Sequence, residues 1–203
     1  ITDNVTGTTV SELNVLVQGN TISANAGGGI VSQMTGANNP PVPPLVNPNN
    51  TLNLTVNDSN YVDLTAEQNR NFITGNSGVG IGVDVAGNGL ANVNLNNVSV
   101  TGTLDGVDPR WNGDGLGLKR SDTSLLLATV NNSTFTGNAG DGMDVDAQGA
   151  DRLDPNQPMS GTANSVTVTK SAFNNNGLNG ASYRVRGNAT LIGGAANSSF
   201  NNN

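Results

Sequence analysis

Residues 130–145 read VNNSTFTGNAGDGMDV and contain the pattern that decides the fold of this 203-residue chain. Phe135 is followed by Asn138, then by a glycine-rich turn that ends at Gly142, and then by an alternating strand from Met143. Copies read ISANAGGGI at 22–30, ITGNSGVGIGV at 73–83, VTGT at 100–103 with DGLGL at 114–118, FNNNGLNGASY at 173–183 and FNNN at 200–203. Such recurrence is typical of a solenoid, in which each repeat packs on its neighbours.

The first apolar residue of each copy acts as an anchor, and the intervals between anchors are 51, 27, 35, 38 and 27 residues. The anchors are Ile22, Ile73, Val100, Phe135, Phe173 and Phe200. The shortest interval fits one coil of three short strands, so the longer intervals predict inserted loops at about 35–50, 104–112 and 148–164. Prolines in the first and third insertions argue against central strands there. The widest interval leaves a second interpretation open, in which residues 51–72 form a degenerate coil of their own.

Stacking the copies aligns side chains of one type in columns. Period-2 alternation places the apolar columns on one face of each strand, where stacking buries them. In addition to the anchors, three apolar columns are predicted. They contain Ile30, Ile81, Leu116, Met143 and Ala181; Val83, Leu118, Val145 and Tyr183; and Val17, Leu95, Val130 and Val168. A polar column contains Asn25, Asn76, Asn138, Asn176 and Asn203, with Thr103 as the exception. Asparagine amides about 4.8 Å apart can donate to and accept from one another.

The predicted fold is therefore all-β, a right-handed parallel β-helix of about six coils with inserted loops, forming a single array over 1–203. The asparagine ladder and the apolar columns resemble the repeats of the pectate-lyase-like solenoid family, of the bacterial surface or adhesin type. The resemblance covers most of the chain from about Val15 onward. It implies the fold and leaves the function open, because this scaffold serves lyases, hydrolases, tailspikes and adhesins.

Composition narrows the function classes. The chain has 35 asparagines and 27 glycines, a formal net charge of −7, and neither cysteine nor histidine. This composition argues against a nucleic-acid footprint and excludes disulfides, and no apolar stretch is long enough to span a membrane. A chain without cysteine is ordinary for a bacterial surface protein, so we expect an extracellular or cell-surface location. The chain lacks an initiator Met and stops in mid-pattern at Asn203, which favours a segment of a longer protein.

Acidic residues gather around the glycine-rich turns, and the candidate metal ligands are Asp114, Asp141, Asp144 and Asp146. The predicted register stacks Asp114 beside Asp141. Two carboxylates one strand apart repel each other unless a cation or a proton lies between them, and calcium takes such oxygen ligands. The alternative interpretation is a solvated turn with ordinary exposed aspartates.

Charged residues of alternating sign form a predicted outward column of Asp84, Lys119, Asp146 and Arg184. Opposite charges on adjacent strands contribute roughly 0.2–1 kcal/mol each, so the column favours a role in setting the register. The family resemblance implies another role, since in pectate-lyase-like enzymes an arginine or lysine beside calcium-binding aspartates abstracts a proton from an acidic sugar. The corresponding basic cluster is Arg184, Arg186 and Lys170. The histidine motif of polygalacturonases is absent, and no Asp-Asp pair occurs.

Trp111 is the single tryptophan of the chain and lies in the second predicted insertion beside Arg110 and Asp108. Carbohydrate platforms favour exposed aromatic rings, which makes Trp111 a candidate contact for a ligand or partner. An aromatic ring that anchors the loop on the coil is the alternative.

The sequence predicts a non-enzymatic structural or adhesive module, such as a cell-surface shaft, an adhesin or a surface-layer component. Its expected partners are neighbouring repeats or subunits that continue the stack, and a polysaccharide or another cell-surface molecule, but not nucleic acid. The alternative is a polysaccharide lyase or hydrolase acting on acidic glycans, for which calcium would be the cofactor.

Overall fold

The structure is a computed structural model, and it describes residues 2–3, 11–36, 50–57, 70–150 and 163–203. Short strands are the only regular elements of these residues. In chain order they are β1 (Thr2–Asp3), β2 (Ser11–Gln18), β3 (Thr21–Ser23), β4 (Ile30–Thr35), β5 (Asn50–Asn57), β6 (Asn71–Thr74), β7 (Val79–Ala86), β8 (Gly89–Asn96), β9 (Val98–Thr101), β10 (Asp114–Arg120), β11 (Leu125–Asn131), β12 (Thr134–Thr136), β13 (Met143–Ala150), β14 (Asn164–Thr169), β15 (Ala172–Asn174), β16 (Ala181–Asn188) and β17 (Leu191–Ala196).

Three parallel sheets form the walls of the molecule. Sheet A has the order β1-β4-β7-β10-β13-β16, sheet B the order β2-β5-β8-β11-β14-β17, and sheet C the order β3-β6-β9-β12-β15. Each coil contributes one strand to each sheet in turn, and the chain then returns one layer higher. The predicted right-handed parallel β-helix of about six coils is confirmed.

The anchors pair directly from coil to coil, which confirms the predicted register. The rings of Phe135 and Phe173 stack with centroids 4.9 Å apart, and those of Phe173 and Phe200 with centroids 5.1 Å apart. Ile22 pairs with Ile73, so no further coil lies between them. The interpretation of residues 51–72 as a separate coil is therefore wrong, because residues 51–57 belong to β5 of the second coil.

The described strands border the first and third predicted insertions. β4 ends at Thr35 and β5 begins at Asn50, while residues 37–49 between them, with their prolines, lie outside the described residues. β13 continues to Ala150, two residues beyond the predicted start of the third insertion, and residues 151–162 are likewise outside the description. The insertion at 104–112 is described and folds back on sheet A.

The core is the apolar interior of the stack. It contains the predicted columns apart from Tyr183 and Phe200, which are exposed, and the residues of β5 that the sequence left undecided, Leu52, Leu54 and Val56. Alternation along β5 is strict, with buried and half-buried residues in turn. Burying apolar area at roughly 25 cal/mol per Å² is the main favourable term for such an array, and only neighbouring coils supply it.

The asparagine column forms a hydrogen-bonded ladder with a fixed direction. Asn138 donates its backbone N–H and its side-chain amide to Asn176 Oδ1, at 3.2 and 2.9 Å. Asn176 donates in the same way to Asn203 Oδ1, at 3.0 and 3.1 Å. Asn25 repeats both contacts on Asn76, and Thr103 joins through its backbone N–H to Asn138 Oδ1. In every pair the lower coil donates and the next coil accepts.

A second ladder lies at the other end of sheet C and has the same direction. The backbone N–H of Asn20 donates to Asn71 Oδ1 at 3.0 Å. Further along, the backbone N–H of Ser133 donates to Ser171 Oγ, and that of Ser171 donates to Ser198 Oγ, both at 3.1 Å. The coils of β6, β12 and β15 and the last coil therefore supply side-chain oxygens to the coil before them at both corners of sheet C, whereas the coil of β9 has Val98 at the first corner and acts there as a donor to Ser133 Oγ.

We predict that Asn176→Ala lowers the free energy of unfolding by about 2 kcal/mol or more, because it leaves buried donors of Asn138 without their acceptor. Asn176→Thr should recover part of this loss, since Thr103 occupies the same column. Urea denaturation followed by circular dichroism measures the effect. Asn94→Ala, at an exposed position on sheet B, is the matched control and should change the stability by less than about 0.5 kcal/mol. Equal losses for the two alanine variants would contradict a structural ladder.

Candidate functional site

The candidate site residues, apart from Lys170, lie on the outer face of sheet A, at the turn that leads into it or in the loop that covers it. Alternate side chains of each strand point outward, and the outward positions of β7, β10, β13 and β16 are in register with one another. The loop at 104–112 covers part of this face. The outward charged residues are Asp84, Lys119, Asp144, Asp146, Arg184 and Arg186. We refer to this region as the charged face.

The predicted charge column is in register. Asp84 pairs with Lys119, Lys119 with Asp146, and Asp146 with Arg184 along the three strand pairs. The ion pairs, however, join diagonal neighbours. Lys119 Nζ lies 3.4 Å from Asp144 Oδ2, and Arg184 Nη2 lies 2.5 Å from the same oxygen.

Arg186 pairs with Asp146, and Arg110 of the covering loop lies 3.0 Å from Asp84 Oδ2. The expectation that Arg184 pairs with Asp146 is therefore wrong, since Arg184 reaches back to Asp144. Long basic side chains lean along the strand, so their ends meet carboxylates two residues away as easily as those directly opposite. The pairs on Asp144 and Asp146 join neighbouring coils, which makes them cross-braces of the stack.

Asp114 and Asp141 form a ladder of their own at the turn before sheet A. The backbone N–H of Asp141 donates to Asp114 Oδ1 at 2.9 Å. The backbone N–H and the side-chain amide of Asn179 both donate to Asp141 Oδ1 at 2.8 Å. Here the upper coil donates and the lower coil accepts, which is the reverse of the asparagine ladder. The predicted stacking of Asp114 beside Asp141 is confirmed, and hydrogen bonds from the backbone support it.

Burial raises the pKa of Asp114 to about 7, and the charges of Asp144 and Asp141 raise the pKa further, against the lowering effect of the Asp141 N–H. A proton on Asp114 thus relieves the repulsion that the sequence pattern implied. The four candidate calcium ligands are all buried, so the alternative of a solvated turn with exposed aspartates is wrong.

The described ranges contain no group of three or more histidine, cysteine, aspartate or glutamate side chains that could hold a metal ion. Asp144 Oδ2 is occupied by Lys119 and Arg184, whereas its Oδ1 is buried without a hydrogen-bond partner among the described residues. Calcium at Asp114, Asp141, Asp144 and Asp146 stays a prediction, and two cations already compensate the most central of these carboxylates.

Trp111 is folded back on the charged face, where its side chain is 2% exposed. The ring covers Gly82 and Gly117, which occupy adjacent positions in one outward column of sheet A. Lys119 Nζ lies 5.2 Å from the ring centroid, on the outside of the same strand as Gly117. The structure thus places Trp111 as a loop anchor, and the glycines beneath it leave the flat area that the indole needs.

A polar depression of about 290 Å³ lies beside the tryptophan loop. Arg110 contributes from the loop, and sheet A and the following turn contribute the rest of the lining. The lining residues are Asp84, Arg110, Lys119, Arg120, Ser121, Asp146, Gln148 and Arg186. Lys170, the third member of the predicted basic cluster, does not line this depression and lies instead at the corner that follows β14.

Arg120 is a residue that the sequence analysis missed. It occupies an inward column between Val85 and Ala147, and its guanidinium donates to the carbonyl oxygens of Asp122, Gln148 and Ala150. It thereby closes the corner at which three carbonyl groups converge. The only sequence signal is an arginine at an inward position of the repeat, which becomes visible once the register is known.

Comparison of this chain with protein-family models, with curated proteins and with solved structures finds no match in any of the three. Among the described residues, no helix is long and apolar enough to cross a membrane.

We predict that Asp114→Asn stabilises the protein at pH 8 relative to wild type and that the difference disappears towards pH 4. The folded-state pKa of about 7 lies above the ordinary value of 3.8, so the native state binds the proton more tightly. In the wild type, the protonated carboxyl contributes its full share to the stability of the fold below pH 3.8, and this contribution is lost as the pH rises through 7. A difference of one pKa unit corresponds to roughly 1.4 kcal/mol, so Asp114→Asn should raise the free energy of unfolding at pH 8 by at most about 4 kcal/mol.

Urea denaturation of both proteins between pH 4 and pH 8 measures this difference. Asp108→Asn is the control, because the hydrogen bond from Arg110 lowers the pKa of Asp108 and this substitution should therefore not stabilise at pH 8. A pH-independent difference between wild type and Asp114→Asn would show that Asp114 does not carry the proton.

We further predict that Gly117→Ala displaces the tryptophan loop, because a Cβ at this position would overlap the Trp111 ring. Trp111 is the single tryptophan, so its fluorescence emission should shift to longer wavelength as water reaches the indole. Gly194→Ala is the control, since a Cβ there meets nothing within 4 Å. An unchanged emission spectrum in Gly117→Ala would contradict the packing of Trp111 on the glycine column.

Proposed function

We propose that this chain is a non-enzymatic β-solenoid module of a bacterial extracellular protein, with repeats of the pectate-lyase-like type and a role as a shaft, adhesin or surface-layer component. The observation that carries the proposal is the use of the charged face. Its central carboxylate, Asp144, is held between Lys119 of the coil below and Arg184 of the coil above. Groups engaged in this way strengthen the stack and are poor acids, bases or ligands.

Burial supports the same conclusion. The side chain of Asp144 is 3% exposed and that of Asp146 is 10% exposed, so a glycan lying on the face would reach little of either carboxylate. Asp141 is buried and holds the turn of the next coil through Asn179. Asp114, the carboxyl with the raised pKa, is buried at the start of β10 and accepts a hydrogen bond from a backbone N–H.

An adhesive role is supported by the outer face of sheet B. This face has a shallow concavity of about 330 Å³ whose lining is uncharged and mostly polar. Asn53 and Asn92 are hydrogen-bonded to one another there at 2.8 Å, and Thr129 and Thr167 lie further along the concavity. Amide and hydroxyl groups in rows about 4.8 Å apart suit contact with a polysaccharide or another polar cell-surface molecule.

A polysaccharide lyase or hydrolase is the second candidate function, and the depression beside the tryptophan loop is the observation that favours it. Arg110, Lys119 and Arg186 bring positive charge to one concave site together with Asp84 and Asp146. Such a site could accept an acidic sugar. It would also have to release Arg186 from Asp146 before either group could act on a substrate.

The two functions are distinguished by turnover. We expect no product when the purified protein is incubated with a panel of acidic polysaccharides, in calcium and in chelator, and monitored for unsaturated products and for new reducing ends. The expectation follows from the paired and buried state of the carboxylates. We also expect the same melting temperature in calcium and in chelator.

Calcium-dependent formation of unsaturated product that is lost in Asp146→Asn or Arg186→Ala would overturn the structural proposal. Asp108→Asn, which changes an aspartate of the covering loop outside the lining of the depression, is the matched control and should leave any such activity in place. A melting temperature that falls in chelator would instead restore calcium as a bound stabilising ion.

A further inference from the structure

The ion pair between Lys119 and Asp144 joins two coils and is largely shielded from water. Lys119 lies on β10 and Asp144 on β13, and Nζ of the lysine is 3.4 Å from Oδ2 of the aspartate. The two side chains are 17% and 3% exposed. An amine and a carboxyl group that are held in contact in an enclosed place are the two reactants of an amide bond.

The loop at 104–112 provides the wall that excludes water from this pair. Its indole, that of Trp111, covers Gly117, and Gly117 is the residue of β10 that pairs directly with Asp144. Lys119 Nζ lies 5.2 Å from the centroid of the same ring. An enclosed site of this kind favours a reaction that releases water, because it slows the reverse hydrolysis.

The two carboxylate oxygens of Asp144 have unequal surroundings. Oδ2 contacts Lys119 Nζ and also Arg184 Nη2, at 2.5 Å, so both cations draw negative charge toward this oxygen. Oδ1 is buried and has no hydrogen-bond partner among the described residues. Burial of a charged group with one unpartnered oxygen is costly, and conversion to a neutral amide removes this cost. Arg184 is 52% exposed, so water replaces the partner that it would lose.

A third ionisable side chain, that of Asp114, lies close to the pair. Asp114 is buried at the start of β10, and the charges of both Lys119 and Asp144 act on it. A carboxyl group near the reacting atoms can take a proton from an amine and pass it to a leaving oxygen. Asp114 therefore offers a route for proton transfer in a place that little water reaches.

From this arrangement we propose that Lys119 and Asp144 condense to an intramolecular amide bond, which cross-links β10 and β13. Lys119 Nζ bonds to Cγ of Asp144, the bond between Cγ and Oδ2 breaks, and Oδ2 leaves as water with two protons of the ammonium group. Oδ1 becomes the oxygen of the amide. The ion pair contains every atom of the products, so no oxidant, cofactor or further reactant is consumed. Reactants held in contact have a high effective concentration, which favours the condensation.

The cross-link extends what the stack achieves through packing alone. The chain has no cysteine, so disulfides cannot join its coils. β10 and β13 are neighbours in sheet A, and the loop that the bond closes contains the whole of β11 and β12. A covalent link around this segment restricts the unfolded chain and therefore stabilises the folded one. The bond replaces an ion pair, which salt and acid weaken, with a link that neither of them breaks.

Mass spectrometry of the denatured intact protein is the first test. The folded wild type is incubated until its mass is constant, and it should then be lighter than its sequence by one water molecule. Lys119→Arg keeps the positive charge but provides no reactive amine, so this variant should have the full mass of its sequence. The chain has two lysines, and Lys170→Arg is the matched control, which should still lack one water.

Tryptic peptides locate the bond. Trypsin separates residues 111–120, which contain Lys119, from residues 121–152, which contain Asp144. In the wild type these two peptides should appear as one linked species, and its fragment spectrum should place the link on Lys119 and Asp144. Asp144→Asn should not show the loss of a water, because its side-chain amide releases ammonia when it reacts with an amine.

A wild type with the full mass of its sequence would overturn the inference. A loss of water that persists in Lys119→Arg would also overturn it and would indicate a succinimide at an Asp-Gly sequence such as Asp141-Gly142. If circular dichroism shows that Lys119→Arg does not fold, the linked peptides of the wild type decide the question, because they require no variant. These outcomes are separate from the polysaccharide assay. Full mass without turnover would remove the cross-link and leave the structural function standing, whereas turnover would remove that function whatever the mass.

Discussion

The fixed vertical distance of about 4.8 Å between paired parallel strands is the constraint on which the rest of this structure depends. It places each side chain directly above and below the residues at the same position of neighbouring coils. A column of one residue type is therefore stable only if side chains of that type interact favourably with one another at that distance. Phenylalanine does so by stacking, as in Phe135 and Phe173, and asparagine does so by donating and accepting at once, as in Asn138 and Asn176.

Stacked aspartates repel each other, and the structure shows how this repulsion is offset where aspartates do occur. Asp114 and Asp141 occupy successive positions of one column, where a backbone N–H and a raised pKa on Asp114 offset the repulsion. On the outer face the signs alternate along the column that contains Lys119, Asp146 and Arg184, and Asp144 in the next column lies between two cations that reach it diagonally. The same constraint thus explains both the asparagine column and the compensation of each carboxylate in these columns by a proton, a hydrogen bond or a cation.

The fold was predictable because the repeat specifies its own register. Once Ile22, Ile73 and Phe135 are aligned, the apolar, asparagine and charge columns follow by counting, and all of them are in register in the structure. The candidate site was less predictable, since it depends on side-chain reach and on a loop. The alignment could not show that Arg184 leans back to Asp144, that Trp111 lies on a glycine column, or that Arg120 enters an inward column to bind carbonyl groups.

The pairing of whole coils also limits how the length of this protein can change during evolution or engineering. An inserted or deleted residue within a strand would turn every later side chain of that strand to the opposite face and would misplace both ladders at once. A residue added to the loop that carries Trp111 leaves the register of β10 untouched. The removal or duplication of one entire coil restores each column, because the apolar positions and the backbone donors at the corners repeat with the coil. The solenoid can therefore be edited in units of complete coils or within its loops, and hardly anywhere in between.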